Sequence, residues 1–365
     1  MISSRLLEVV RCPDCAAALV PSAGSHLRCS SCGREFDVSR GYADLRPKAA
    51  FAEQTKYLDE ALHADARHES VAPPLLGSRI RNDMLRRFLR LAPGERVLDL
   101  GCGSGRTIVW NAGTGAAMTG IDISPFFSRE ALDGCDLLLG DLRRMPLNDE
   151  AFAKAWSLDV LEHLSPDALR DVLTETNRVL VRDGALFVYT HVRKNGWIAQ
   201  GVRLVNRFAH LCERLGLLDL SQERLRKSDH LNPLADHAEL VAVASACGFR
   251  LERITYYTPI VGAFVENVLV RMAERVLTRR AARATGGSPD AGRATRASAK
   301  ARIRRGGPTY FVLSALTAAM KLDVWLFGRL QSGPFFALLR KTGTGHSALG
   351  TSQAKTTENP PVTSA

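Results

Sequence analysis

VLDLGCGSGR, Val97 to Arg106, is a short apolar run that breaks into a glycine-rich turn. Val97 to Leu100 read as a buried strand, with Asp99 two places before the first glycine. Gly101, Gly103 and Gly105 let the backbone turn sharply and approach a ligand that a Cβ would repel. The turn opens a helical pattern at Arg106, whose first N–H groups face that ligand. A dinucleotide-binding fingerprint needs its third glycine three places after the second. Arg106 holds that place here, and the third glycine comes one position early at Gly105.

Working outward, strand and helix patterns alternate. AAMTGIDIS (Ala116–Ser124) is a second apolar strand ending in Asp122, where a carboxylate can accept both ribose hydroxyls of an adenosine ligand. CDLLLGDLRRMPLNDEAF (Cys135–Phe152) gives a third strand and an acidic turn. AKAWSLDVLEHL (Ala153–Leu164) gives a fourth strand and its loop, Pro166–Leu180 an amphipathic helix, and GALFVYTHV (Gly184–Val192) a fifth strand. This alternation predicts an α/β fold with a doubly wound parallel sheet.

The early Gly105 resembles motif I of the class I S-adenosylmethionine (SAM) methyltransferases. The four segments in register, including LDVLEHL, resemble the ubiquinone- and menaquinone-type (methyltransferase type 11-like) subgroup from about Arg81 to Phe249. The resemblance implies a Rossmann-like seven-stranded sheet with helices on both faces and SAM as cofactor. It also places Asp141 near the adenine amino group and Leu142 against the ring. The candidate cofactor set is Asp99, Gly101, Cys102, Gly103, Gly105, Asp122, Ile123, Asp141, Leu142 and Leu158. Asp99 would accept from the methionine amine, directly or through water. Cys102 would contribute backbone only.

CPDC (Cys12, Cys15) and CSSC (Cys29, Cys32) are two knuckles separated by thirteen residues, a spacing that places four thiolates around one zinc ion. Two disulfides are the competing reading. So short a segment with so few large apolar side chains needs metal-binding free energy to fold. Four cysteines leave no open coordination position, so the zinc would be structural. RCSSCGREFDVSRGYADLRP resembles the zinc-ribbon module that precedes some bacterial methyltransferase domains, one of them a ribosomal RNA guanine methyltransferase.

With 45% apolar residues the chain has the composition of an ordinary globular protein. MISSRLLEVVRC has no apolar stretch of signal-peptide length, and no run of 18 uncharged apolar residues occurs. The cysteines and the SAM-type site suit a reducing cytoplasm. The net charge of +11 invites a nucleic-acid reading, yet residues 271–306 hold eleven Lys/Arg against Glu274 and Asp290, which is +9 and leaves +2 elsewhere. The catalytic core is therefore not basic.

The expected organisation is a zinc-ribbon module (1–48), a methyltransferase core (49–257) with a cap insertion at about 193–229, and a helical insertion (258–332) containing an Arg-rich linker (284–307). GPFFALLRK supplies a last strand within 333–342, and 343–365 form a polar tail expected to be disordered. Phe51–Leu91 is helical by pattern, with Ile80, Met84, Phe88 and Leu91 on one face and Pro93–Gly94 as its stop. GFRLERITYY is the sixth strand. YFVLSALTAAMKLDVWLFGRL is apolar on nearly all sides: either it is buried, in a pocket cap or a dimer interface, or it lies at an anionic membrane surface, at the inner membrane face.

Methyl transfer needs alignment, a dry pocket and, for a hydroxyl acceptor, a base. His163, His191 and His230 stand near strand ends and are the candidate bases. SLDV stands after the fourth strand where amino-nucleobase methyltransferases carry an NPPY-type tetrapeptide, which argues against adenine-N6 or cytosine-N4 methylation. The leading expectation is an enzyme that methylates a small-molecule, lipid-linked or glycan acceptor. The alternatives are an RNA methyltransferase gripping phosphates with the ribbon and the basic segment, and a non-catalytic SAM-binding scaffold.

Overall fold

The computed structural model describes residues 2–48, 71–192, 199–220, 234–257, 260–276 and 306–342, together with positions 224, 231, 279 and 303. A short helix, α1 (Ser4–Val9), starts where the Ser3 hydroxyl accepts the Leu6 N–H at 3.0 Å. Three short antiparallel strands follow, β1 (Leu19–Ser22), β2 (His26–Cys29) and β3 (Glu35–Asp37). The chain then leaves this small sheet as β4 (Ala43–Asp44) and joins the central one.

The central sheet continues with β5 (Arg96–Leu100), β6 (Ala117–Asp122), β7 (Asp136–Leu139), β8 (Phe152–Leu158), β9 (Leu180–Thr190), β10 (Phe249–Tyr256) and β11 (Phe335–Lys341). Their order is β10-β11-β9-β8-β5-β6-β7-β4, parallel from β9 to β4, with β11 antiparallel to both β9 and β10. Central strands of such a sheet are covered on both faces and read as unbroken apolar runs. Val97, Leu98 and Leu100 are buried accordingly. The sheet has eight strands where seven were expected. Tyr42, Ala43 and Leu45 are buried, and Leu45 N–H donates to Leu139 O at 3.0 Å, so β4 closes the backbone edge that β7 would otherwise expose.

Helices flank the sheet: α2 (Leu76–Leu89), α3 (Arg106–Asn111), α4 (Arg129–Gly134), α5 (Pro166–Val179), α6 (Ala199–Arg214) and α7 (His237–Ala246). Ile260–Phe264 begins the next helix, α8, which passes through a π-helical stretch, Val265–Val270, and runs on to 276. The last is α9 (Pro308–Phe327). The helical pattern over Phe51–Leu91 materialises as α2, and residues 49–70 lie outside the described residues. Pro73 and Pro74 bias the residues before them away from helix, and Leu75 is extended. Ile80, Met84 and Phe88 of α2 are buried.

Two apolar clusters line the central sheet. Leu6, Leu27, Phe36 and Leu45 belong to the same cluster as Leu98, Leu138 and Phe152, so the first 48 residues share a core with the sheet. β5 sits between β6 and β8, where the strand order reverses. Crevices that bind ligands form at such switch points, beyond the carboxyl ends of the strands.

Candidate functional site

After β5 the bend is fixed by two hydrogen bonds, with Gly101 and Cys102 N–H both donating to Ile121 O at 2.9 and 3.1 Å. The three glycines have φ of 72°, 54° and 75°, a region that disfavours a Cβ. Their surroundings differ. A Cβ on Gly101 would lie 2.6 Å from Val160, and one on Gly105 2.6 Å from Ala131, whereas at Gly103 it would meet nothing within 4 Å. Gly103 therefore faces open space and Gly105 permits close packing of the bend on α4. Because α3 is only six residues long, the loop's own backbone rather than a long helix forms the cradle.

That space is a cavity of about 470 Å³, within the range of small-molecule sites. Asp99, Gly101, Cys102, Gly103, Asp122, Ile123, Asp141, Leu142 and Leu158 of the candidate set line it, and Gly105 does not. His163 is on its wall. His191 is not, and His230 lies outside the described residues.

Three carboxylates meet this cavity in different states. Asp99 is buried, and its Oδ2 has no hydrogen-bond partner. Burial pushes its carboxyl well above the usual range, opposed in part by the nearby Trp156 indole. Asp122 is raised by burial too, against the pull of two N–H donors: Gly103 to Oδ2 at 2.7 Å and Ser124 to Oδ1 at 2.9 Å. Asp141 is gripped by the Arg143 guanidinium at 2.9–3.1 Å, which turns its carboxylate toward that side chain.

The cavity wall also holds residues the sequence pattern did not single out. Arg81 of α2 and Asp159, just after β8, line it 3.7 Å apart. Asp159 sits at φ 56°, an uncommon conformation for a non-glycine residue that aims its carboxylate between Arg81 and His191. His191 Nε2 lies 3.6 Å from Asp159 Oδ1. Burial would raise Asp159, but Arg81 and then His191 hold it well below the usual carboxylate range. Glu162 stands behind, buried, accepting the Thr190 hydroxyl at 3.0 Å; burial and then the Asp159 charge push it up to about 7. Arg81 was hidden inside an amphipathic helix pattern, and nothing local distinguishes it from a surface arginine. Asp159 lay within the quoted LDVLEHL and had a signal only in its place at a strand's carboxyl end.

At the N-terminus the four thiols converge. Cys12 and Cys32 Sγ are 3.7 Å apart, Cys15 and Cys29 Sγ 3.4 Å, and all four lie within 4.8 Å of one another. Neither pair stands at the roughly 2.05 Å of a disulfide. A tetrahedral site with Zn–S near 2.3 Å has sulfur–sulfur edges of about 3.8 Å, so the cluster fits one zinc ion.

A seven-strand core in this order, with a glycine bend after its first strand and an acid ending its second, defines a class I SAM-dependent methyltransferase domain. The methyltransferase domain family matches residues 98–188. A demethylmenaquinone methyltransferase of Tropheryma whipplei is 31% identical over 176 residues, 45% of this chain and 70% of that protein. The chain belongs to this methyltransferase family. A sterol 4-C-methyltransferase of Caenorhabditis elegans is 30% identical over 118 residues, covering 30% of this chain and 35% of that protein. The chain spans 35% to 53% of the length of the first curated relatives it matches. Among solved structures, a Haemonchus contortus phosphoethanolamine N-methyltransferase 2 in complex with SAM superposes with TM-score 0.47 at 16% identity, over 81% of this chain and 61% of that one.

Proposed function

We propose that this protein transfers a methyl group from SAM to a small acceptor of the lipid or lipid-linked class. One observation carries the cofactor half of this reading: a buried Asp99 oxygen without a partner, on a cavity wall whose other side is the open face of Gly103. A buried carboxylate left unmatched is costly, and a ligand ammonium would satisfy it. Asp122 supplies acceptor lone pairs for sugar hydroxyls, and Leu142, Ile123 and Leu158 give apolar walls for a ring. When bound, SAM supplies a methyl group already activated by a positive sulfur.

The protein's own work is then alignment and proton handling. Arg81 and Asp159, a charged pair on the cavity wall outside the cofactor set, mark the acceptor side in this reading. Asp159, held ionised by Arg81, cannot itself serve as a base near neutral pH; it orients His191. His163 is the described histidine on the wall and is the one placed to take a proton from an acceptor hydroxyl. Sterol and demethylmenaquinone methyltransferases among the relatives act on apolar molecules by their names, which supports a lipid-class acceptor. We also assign Cys12, Cys15, Cys29 and Cys32 as ligands of one structural zinc.

Labelled SAM, incubated with the protein and with lipid, polar-metabolite, RNA and protein fractions of a lysate, tests the reading. Label in the lipid fraction is expected. Label confined to RNA, or calorimetry with no SAM binding, overturns it.

A further inference from the structure

Helix α9 is folded inside out for a surface helix. Its polar groups point into the protein: the Thr317 hydroxyl accepts the Leu76 N–H at 2.8 Å, Asp323 accepts the Val261 N–H at 3.1 Å, and Lys321 pairs with Asp83. Its opposite side repeats every three to four residues through Phe311, Val312, Leu322, Trp325 and Leu326, all exposed, with small residues between. Trp325 is 76% exposed and Phe311 63%. A surface helix of a globular protein normally turns these two faces the other way round. The helix is long and apolar enough to cross a bilayer, yet its polar side is committed to the protein, so it lies along the molecule and does not leave it.

Its neighbours carry the same feature. α8 packs on one side against α9 and on the other against α6, through Val268 with Ala209 and Cys212, and Asn267 Nδ2 donates to Asn206 Oδ1 at 3.1 Å. α6 exposes Leu204, Phe208 and Leu211, and Leu215 just past its end continues the stripe at helical spacing. Exposed Arg203, Arg207 and Arg214 each precede one of these positions by one residue and flank the stripe. On α8, Phe264, Leu269 and Val276 are exposed. Scattered exposed apolar residues need no explanation, but stripes on two helices packed against a third do.

We propose that the α6–α8–α9 layer docks on an anionic lipid bilayer, with α9 and α6 in the plane of the interface and their apolar stripes among the acyl chains. Charge selects this occupant over a second copy of the chain. An arginine row beside an apolar stripe is the pattern of an interfacial helix. The segment 271–306, which runs on from α8 toward α9, adds +9, and that charge would repel itself across a two-fold interface while it attracts anionic headgroups. α9 also backs onto α2, which carries Arg81 to the cavity, so the docked face and the acceptor end share a helix. The inference stands on this surface alone and does not need the acceptor to be a lipid.

Sedimentation of the full chain with vesicles tests it, comparing phosphatidylcholine alone with phosphatidylcholine containing phosphatidylserine, at physiological salt. Binding to the anionic vesicles is expected. Replacing three arginines (R203Q, R207Q, R214Q) should weaken it by roughly a hundredfold, taking about a fivefold loss per basic residue near the surface. L322E with W325E should reduce it by at least about tenfold. Because all five positions are exposed or lie on the outer stripe, circular dichroism and SAM calorimetry should match the parent chain, which separates lost docking from lost folding or lost cofactor binding. No binding to anionic vesicles, or equal binding by parent and both variants, overturns the proposal. So does a solution dimer that L322E with W325E converts to a monomer while vesicles go unbound.

Discussion

The Gly103 N–H donates to Asp122 Oδ2 at 2.7 Å, so the glycine bend after β5 is tied to the acid that ends β6. The same carboxylate accepts the Ser124 N–H at 2.9 Å and turns the chain out of the sheet. Asp122 thus holds two backbone segments on the cavity wall before any ligand arrives.

Asp122→Ala should therefore weaken SAM binding through two losses, the acceptor for ligand hydroxyls and the brace on the bend. Hydrogen bonds to a charged group are worth about 1.5–3 kcal/mol, which corresponds to roughly 10- to 100-fold in Kd. Asp122→Asn keeps an acceptor oxygen and should fall between the two. Calorimetry with SAM reads this directly, and an unchanged Kd for the alanine variant would remove Asp122 from the site.

The glycines separate binding from folding. Gly105→Ala forces a Cβ to within 2.6 Å of Ala131 at a left-handed φ, so the expected effect is a loss of stability of about 1–3 kcal/mol. Gly103→Ala meets no neighbour within 4 Å, so only backbone strain of about 1 kcal/mol opposes it. Its methyl group, however, enters the space assigned to the cofactor. Thermal unfolding should rank Gly105→Ala as the weaker fold, and SAM affinity should rank Gly103→Ala as the weaker binder. The reverse order on both readouts would contradict the division of roles.

How far the sequence foretold this follows from the range of each interaction. The bend and Asp122 were legible because glycine conformation and strand alternation are local. The succession of β5 to β9 along the chain as parallel strands followed from the same alternation, and β11 from its apolar run far downstream. The eighth strand was not legible: β4 is two residues long, and only its backbone pairing with β7 makes it a strand. Arg81 and Asp159 come from segments 78 positions apart and meet through tertiary packing alone. The outward apolar face of α9 was equally hidden, because a helix apolar on nearly all sides does not reveal which side is covered.

Glu162 gives a pH prediction. Its folded pKa is raised to about 7 by burial and then by Asp159, above the ordinary value of 4.5. A carboxyl raised by folding contributes stability in full below its unfolded pKa and loses it as pH climbs through the folded one. Between about pH 4.5 and 7 the protein should thus become less stable on this account, on the order of 3 kcal/mol, since each pH unit of difference is worth about 1.4 kcal/mol. Glu162→Gln keeps an oxygen to accept the Thr190 hydroxyl and carries no titrating proton. The melting temperature of Glu162→Gln should exceed that of the parent at pH 8 and converge on it near pH 5. Parallel curves would show that Glu162 is ionised throughout.

Zinc removal should reach further than the first 48 residues. Cys12 and Cys29 are themselves buried in the cluster that contains Leu27, Phe36 and Leu45, and this cluster is continuous with Leu98 and Leu138 under the central sheet. Four thiolates within 4.8 Å of one another repel once ionised, so the ion's binding energy is also folding energy for this segment. Metal analysis should find one zinc per chain. A strong chelator should then lower the melting temperature of the whole molecule and raise amide exchange in β4 and its partner β7, with little change in β9 and β11. The contrast arises because β4 is joined to the ribbon by five residues after β3, whereas β9 and β11 lie at the opposite end of the strand order. Exchange that rises only before residue 40, with β7 unaffected, would mean that the ribbon opens as an independent unit and that the shared apolar cluster does not couple it to the sheet.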